Sequence, residues 1–461
     1  MDGAPASEKT HINDITAQAI GDWLNDKNDP LRIVAVNGVS SFTLEGLKRQ
    51  VAALCQQLLG RKELRWALCF EDSYLFTVGL LAALHAGKMP VVPGHCRQSV
   101  LQEQADEFDG LLTDLPLTLS CPSFKVTASE VSHDTVLPEI ADDACIVLFT
   151  SGSTGKPRQI IKPVRCLDEE ARWLTACWGS RLQYCRVIAS VSHQHLYGLT
   201  FRIWLPMALG LCFDSRQLLY TEQLTSQDRK YRYVFVSSPA FLRRIDYSLK
   251  APSCQLIVSA GGALPWVSAD AAKNWFATPV DEIYGSTETG VLARRSREAE
   301  NTPWRLFCGV SLTLDDRDNW WARSTLIPYS QGQKLDDRLV FDAAGNFQLA
   351  GRHDRIVKIE DKRISLSEIE RRLLELPEIA DAVALQITRP ERSGIGVVLV
   401  LKSSDLAADL PTLKRQWRHE LHRWLEPLAM PRFWRIVETI PHNSQSKRAW
   451  PQIQALFHVT R

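Results

Sequence analysis

Residues 23–94 alternate two hydrophobic periods, and that alternation restricts the possible folds more than any other feature of the chain. Leu44-Glu-Gly-Leu-Lys-Arg-Gln-Val-Ala-Ala-Leu-Cys-Gln-Gln-Leu58 repeats apolar residues at the spacing of one helix face, and residues 66–70 read as a short buried strand. Residues 74–86 form an apolar helix stopped by Gly87, and Val91 and Val92 open the next strand. Such alternation implies parallel sheets covered by helices. Strand-like runs recur at 186–191, 233–237 and 255–259, each ending near polar or glycine-rich residues. In open parallel sheets, ligands bind beyond the carboxyl ends of the strands.

The stretch 304–351 has shorter strands around an Ala344-Gly345-Asn346 turn and reads as a β-rich subdomain. After Arg352 come a strand at 356–359, a helix at about 367–376 and a strand at 396–401. A chain of 461 residues exceeds one compact core. The expected fold is α/β: a large N-terminal domain of helix-covered sheets with a β-rich subdomain (1–351), followed by a small mobile α+β lid (352–461).

A net charge of +1 calls for no nucleic-acid partner, and no DNA- or RNA-binding motif is evident. Eleven cysteines without a Cys-x-x-Cys pair fit a reducing compartment rather than a zinc or disulfide framework. His193 and His195 alone are too sparse to define a metal site. The first residues lack a signal peptide's basic and apolar regions, and the apolar run 76–84 is too short to span a bilayer. A soluble cytoplasmic protein without a transmembrane segment is the expectation.

The apolar run Ala144-Cys-Ile-Val-Leu-Phe149 leads into Thr150-Ser-Gly-Ser-Thr-Gly-Lys-Pro-Arg158. Glycines let successive N–H groups turn toward one anion, hydroxyls add donors and Lys156 adds charge, as a phosphate-holding loop requires. It is not a Walker loop. Gly152 and Gly155 are separated by two residues and Pro157 follows the lysine. By itself the run is equally well an ordinary polar turn.

Four further elements come after it in order: Tyr284-Gly-Ser-Thr-Glu-Thr-Gly290; Asp337, eight residues before Gly345 and fourteen before Gly351; Gly351-Arg-His-Asp-Arg-Ile-Val-Lys358, running on to Arg363 and Glu368-Ile-Glu370; and Lys447 after Ile440-Pro-His-Asn-Ser-Gln-Ser. Together with the loop they resemble the signatures of the AMP-forming acyl-CoA synthetase, adenylation-domain and luciferase superfamily, over almost the whole chain. The resemblance implies that a carboxylic acid attacks ATP to give an acyl-adenylate and pyrophosphate, and that a phosphopantetheine thiol of CoA or holo-acyl carrier protein then takes the acyl group.

By the same resemblance, Thr150, Ser151, Gly152, Ser153, Thr154, Gly155 and Lys156 would hold the β- and γ-phosphates of ATP. Glu288 would help hold Mg2+ and Thr287 would face the phosphates. Tyr284 would stack near adenine, Gly262 and Ala263 would edge the nucleotide, and Asp337 would accept from the ribose hydroxyls. Arg352 would reach the ribose or phosphate, and Lys447 would bridge the substrate carboxylate and AMP oxygens. His195 matches the floor of the acid pocket, with Tyr197, Ser238, Gly261 and Gly285 as further lining, and Asp354 matches the hinge. Aromatics there suit an aryl or medium-length fatty acid. Taken singly, Asp337, Arg352 and Lys447 also read as a turn cap and solvated bases, and His195 as a core histidine.

The chain departs from the family pattern chiefly in its last third. Asp336 stands for a usual glycine, Arg158 for a usual lysine, and His442-Asn-Ser-Gln-Ser-Lys447 for Arg-Thr-x-x-Gly-Lys. Asp361 replaces the glycine of the turn that meets the pantetheine channel, which puts free CoA in doubt as acceptor. Residues 414–461 carry nine bases against three acids, a surplus that suits an acidic carrier protein and equally a solvated face. The short chain and Trp-rich lid also resemble bacterial ligases of aryl-polyene and fatty-acid-like pathways. A degenerate member that binds nucleotide or acyl-AMP without turnover, as an interaction module, is the alternative.

Overall fold

The computed structural model describes residues 15–38, 40–128, 136–150, 158–352, 355–359, 362–389, 392–403, 409–425, 427–443 and 447–457. They divide into two compact units, one of residues up to Ser311 with Arg323–Gln333, the other of Leu312–Ala322 with Lys334 onward.

Two sheets build the first unit. One runs Ser123–Lys125, Gly110–Thr113, Arg65–Cys69, Met89–Val92, Cys145–Thr150, Arg158–Pro163, all parallel except the last, which returns antiparallel. The other runs Arg305–Leu306, Gly290–Ser296, Val280–Ser286, Cys254–Ser259, Arg232–Ser237, Cys185–Ala189, Cys212–Gln217, Ile33–Asn37, Ser40–Thr43. Its centre, from Val280–Ser286 through Ile33–Asn37, is parallel. The expected alternation of strand and helix is realised as these two parallel-cored sheets.

The helix Ser73–His85 touches strands of both sheets, and of its thirteen residues only Leu75 is not fully buried. A helix apolar all round must be a core helix. Its ends are closed locally. Asp72 Oδ1 accepts from the N–H groups of Tyr74 (2.8 Å) and Leu75 (3.1 Å). At the other end Gly87, at φ +65°, donates to Leu84 O (3.0 Å) while Lys88 N–H reaches Ala83 O (2.8 Å), a Schellman closure that needs a residue tolerant of positive φ. Each large apolar side chain buried here, such as Phe76 or Leu80, contributes about 1.5–3 kcal/mol.

The helix Leu44–Leu59 starts where Thr43 Oγ1 accepts from Gly46 N–H (3.1 Å), and buries the face that carries Leu47, Val51, Leu54 and Leu58. The sequence periodicity indicates this helix within one residue. It gives no sign of the path taken after His195: a turn Leu196–Gly198, a π-helix Leu199–Trp204 and a helix Leu205–Leu209, all closely packed. Extra residues per turn at Leu199–Trp204 re-aim the chain beside the strand ends.

The second unit centres on the sheet Ile379–Arg389, Arg392–Leu401, Pro431–Ile436. Helices Leu366–Leu374 and Leu410–Leu421 pack a core around Trp417 and Trp434, whose rings stack at 5.9 Å. Ile440, Ile453 and Phe457 pack with Val383, Leu385 and Val398 in a second cluster. Hairpins Asp337–Phe341/Phe347–Arg352 and Ile356–Ile359/Lys362–Ser365 complete it.

Gly198 is the tightest point beside the strand ends, because a Cβ there would overlap the Ser192 carbonyl oxygen. Gly198→Ala should destabilise the first unit by about 3 kcal/mol, read as a lowered melting transition. Gly60→Ala, where φ is −76° and an added Cβ would meet nothing within 4 Å beyond its chain neighbours, should leave that transition in place.

Candidate active site

Four neighbouring parallel strands, Cys185–Ala189, Arg232–Ser237, Cys254–Ser259 and Val280–Ser286, end along one edge of the large sheet. Their exits carry most of the first unit's predicted residues: His195 and Tyr197 after the first, Ser238 after the second, Gly261, Gly262 and Ala263 after the third, Tyr284, Gly285, Thr287 and Glu288 at and after the fourth. Residues far apart in sequence are therefore brought to one edge by strand order alone.

The exits are knit by hydroxyls. Tyr197 Oη lies 3.0 Å from Ser237 O and 2.9 Å from Val258 O and donates into this pair, capping two strands at once, and burial pushes its phenol well up. Ser190 Oγ and Ser237 Oγ are 3.0 Å apart. Ser238 Oγ accepts from Phe241 N–H (3.4 Å), so its local task is to start the turn Pro239–Leu242. Gly261 holds φ +87° and is exposed with Gly262 and Ala263, a backbone ledge whose Ala263 carbonyl accepts from Arg243 Nη2 (3.3 Å).

The turn after Val280–Ser286 folds on itself. Ser286 N–H donates to Thr289 Oγ1 (3.0 Å) and Thr289 N–H to Ser286 Oγ (3.2 Å). Gly285 admits no Cβ, which would strike Gly290 O, and Gly290 holds φ +69°. Tyr284 packs on Trp304 with ring centroids 5.8 Å apart. Glu288 is half-buried, and among the described residues no hydrogen bond or ion pair engages its carboxylate. A hard oxygen donor of this kind fits Mg2+, which takes one or two carboxylates beside phosphate oxygens.

Thr150 ends its strand directly opposite Arg158 in an antiparallel pair. Ser151, Gly152, Ser153, Thr154, Gly155 and Lys156, between them, lie outside the described residues, as do Asp354 and Asp361. In the second unit Asp337 and Arg352 are cross-strand partners in one hairpin, closed by hydrogen bonds between Asp342 and Asn346. Lys447 is exposed on a loop closed from both sides: Asn443 N–H donates to Lys447 O (2.7 Å), and Lys447 N–H donates to Asn443 Oδ1 (2.9 Å). The next residue anchors that loop. Arg448 pairs with Glu370 (3.2 Å) and Asp381 (3.1 Å), and Glu370 also pairs with Arg355, one residue past Asp354.

Three residues that fix this region carry no motif and are not apparent from the sequence. Lys162 and Glu170 are buried against the turn at 286–291. His193 Nε2 donates to Phe70 O (3.1 Å) and its Nδ1 accepts from Ser73 Oγ (2.9 Å), joining the loop after Cys185–Ala189 to the other sheet. Burial, then the Arg202 guanidinium, hold His193 well below the usual imidazole range, so it is neutral. No group of three or more His, Cys, Asp or Glu suited to a metal occurs among the described residues. A cavity of about 770 Å³, lined by Asp22, Asn28, Glu45, Lys48 and Ile140 among others, lies away from the strand ends.

Residues 95–316 match the family model described as AMP-binding enzyme. The chain is 25% identical over 440 residues to nonribosomal peptide synthetase 8 of Aspergillus fumigatus, covering 76% of this chain but only 5% of that protein. It is 26% identical over 315 residues to the 4-coumarate–CoA ligase of Halorhodospira halophila, 66% of this chain and 74% of the ligase. Among solved structures, ATP-bound MatB from Rhodopseudomonas palustris superposes with a TM-score of 0.80 at 16% identity, over 96% of this chain and 99% of that one. MenE from Bacillus subtilis in complex with the acyl-adenylate OSB-AMP gives 0.76 at 16%, over 95% and 98%. These superpositions show the shared α/β fold.

Because His193 is neutral in the fold and titrates near 6.5 when unfolded, the unfolded chain binds the extra proton below that pH. Its contribution to stability is therefore complete above about pH 7 and falls by up to about 1.4 kcal/mol per pH unit below 6.5. Urea unfolding between pH 7.5 and 5.5 should show this slope reduced in His193→Gln. The imidazole resonances of His193 in the folded protein should not titrate across the same range.

Proposed function

From the match of residues 95–316 to the AMP-binding enzyme family model, we propose that the chain is an ATP-dependent carboxylic acid ligase that forms an acyl-adenylate and passes the acyl group to a phosphopantetheine thiol. The observation that carries the reading is the edge formed by four parallel strand ends, where the exposed backbone ledge Gly261–Ala263, the ring of Tyr284 and the unengaged carboxylate of Glu288 lie on consecutive exits. Ledge, ring and carboxylate would suit a nucleotide's sugar, its base and a Mg2+ ion held near its phosphates.

In the first step a carboxylate oxygen bonds to the α-phosphorus of ATP, the bond from that phosphorus to the bridging oxygen breaks, and pyrophosphate leaves. Both reactants are anions, so donors must be oriented before they meet. Thr150 to Lys156 are assigned to the β- and γ-phosphates, Thr287 to the phosphate region, and Glu288 to Mg2+, which when bound supplies charge neutralisation of the pyrophosphate. Asp337 takes the ribose hydroxyls and Arg352 the ribose or phosphate. Lys447 stabilises the charge shared by carboxylate and AMP oxygens. His195, Tyr197, Ser238, Gly261 and Gly285 are assigned to the acid. In the second step the thiolate attacks the acyl carbon and AMP leaves with the electron pair of the broken C–O bond.

We assign residues 1–351 to adenylation and 352–461 to a lid that turns about Asp354 between the steps. CoA and a holo-carrier protein both present the required thiol. The protein-borne form is supported by Asp361 and by the exposed bases Arg415 and Arg418 on the helix Leu410–Leu421. Not all of the basic surplus is available for docking: Arg423 pairs with Glu420 (3.0 Å), Arg435 donates to Leu456 O (2.9 Å), and Arg448 belongs to the Glu370 network.

ATP–pyrophosphate exchange across a panel of aryl and fatty acids tests the first step. At least one acid should support exchange, and Lys447→Ala should lower it about a hundred- to thousand-fold without unfolding. Tight ATP binding with no exchange for any acid favours the degenerate nucleotide-binding reading instead.

For the second step, thioester formation with a holo-carrier protein should slow as the Debye length shortens below about 10 Å, while exchange changes less. Arg418→Glu should weaken loading of the carrier protein selectively. Efficient acylation of free CoA with no carrier protein loaded would return the acceptor to CoA.

A further inference from the structure

The strand Arg158–Pro163 inverts the pattern its sequence suggests. Ile161 is 49% exposed, whereas Lys162 is 1% exposed. The reason lies at the ammonium, which donates to three backbone carbonyls: Thr287 (3.2 Å), Glu288 (3.4 Å) and Leu326 (3.2 Å). An ammonium has three protons and no acceptor, so the three carbonyls match its capacity. Burial lowers its pKa, while Glu170, Cys166 and Glu288 act to keep it charged.

Glu170, on the helix Val164–Leu182 that comes after this strand, grips the other flank of the same turn. Its Oε1 accepts from Val291 N–H (2.7 Å) and its Oε2 from Thr200 Oγ1 (2.7 Å). Gly290, lacking Cβ, leaves room for that carboxylate, since a Cβ would come within 2.8 Å of Oε1. One buried cation and one buried anion, eight residues apart in sequence, thus fix the carbonyls at 287 and 288 and the N–H at 291.

We propose that Lys162, assisted by Glu170, is a positioning residue that fixes the Thr287–Glu288 turn and ties it to the hairpin ending at Thr150 and Arg158. The proposal rests on the reading of Thr287 and Glu288 as the phosphate- and Mg2+-facing pair. Two successive carbonyls drawn to one atom set the planes of both peptides, because each peptide is rigid, and thereby set where the side chains of 287 and 288 begin. Lys162 also pairs with Ile146 across the hairpin, so turn and hairpin share one anchor. Arginine cannot replace it: a planar fork of five donors does not converge on three carbonyls around a point.

The test compares Lys162→Met and Lys162→Arg with wild type and Glu288→Gln. Hydrogen exchange of a peptide spanning 284–292 should be faster in Lys162→Met, with the strand Cys254–Ser259 unchanged. In ATP–pyrophosphate exchange, kcat should fall roughly ten- to a hundred-fold, with KM for the acid retained and a higher Mg2+ requirement. Lys162→Arg should not rescue it. Adding Lys162→Met to Glu288→Gln should cost little more than Glu288→Gln alone, since the lysine acts on the Mg2+ requirement through that carboxylate. A folded Lys162→Met with wild-type protection at 284–292, or losses that multiply in the double variant, overturns the proposal. If Lys162→Met does not fold, Glu170→Gln must show the same faster exchange or the proposal falls. Absence of pyrophosphate exchange in wild type defeats the adenylation reading alone, and protection at 284–292 still decides the clamp.

Discussion

A helix enclosed by two sheets has no water to satisfy its first turn, and the first unit is organised around that constraint at Asp72. One carboxylate oxygen caps the helix Ser73–His85, and the other accepts from Ser215 Oγ (2.6 Å) and Asn37 Nδ2 (2.8 Å), both on strands of the large sheet. The backbone N–H of Asp72 is in turn held by Asp114 (2.9 Å), after Gly110–Thr113 of the other sheet. Buried Arg202, donating to Val191 O (3.1 Å) and Ser215 O (2.7 Å), adds positive charge beside Asp72 and Asp214, and burial lowers its own pKa to about 10. Unpaired charges here would each cost several kcal/mol, so the network is retained whole.

That network fixes the register between the sheets, and the strand ends inherit the precision. His193 and Gln194 leave the large sheet and reach the carbonyls of Phe70 and Leu68. The chain then turns at Gly198 into a π-helix, which brings Tyr197 Oη onto two strand-terminal carbonyls. Side chains that set the edge are thus held by directional hydrogen bonds to the backbone. Apolar packing alone tolerates repacking and sliding that such bonds do not.

The second unit solves a related problem at small scale. A lysine on an exposed loop is imprecise unless its backbone is fixed, and Lys447 is fixed by Asn443 and by the Arg448–Glu370–Arg355 cluster. Glu370 also accepts from Ala384 N–H (2.7 Å), so the carboxylate joins helix, sheet, the Lys447 loop and the chain just past residue 354. Such a cluster gives the Lys447 backbone and the strand that starts at Ile356 a common footing within one unit.

Local signals in the sequence settled the elements with strong periodicity: the Leu44–Leu59 face, the apolar Ser73–His85 helix with its Gly87 stop, and the short strands between glycines. The ordered motifs indicated which residues to seek at the strand ends, because a loop that must turn or approach closely needs glycine whatever surrounds it. Tertiary structure decided the rest. That Lys162 points inward and Ile161 outward depends on carbonyls 125 to 164 residues away, and no local pattern encodes them. His193 reads as half of a sparse histidine pair until Ser73 and Phe70 are placed against it, and the basic excess of the last segment reads as one surface until Glu370, Asp381 and Glu420 take their shares. Periodicity is a property of neighbours in sequence. Satisfaction of a buried charge is a property of neighbours in space, and only the folded chain supplies those.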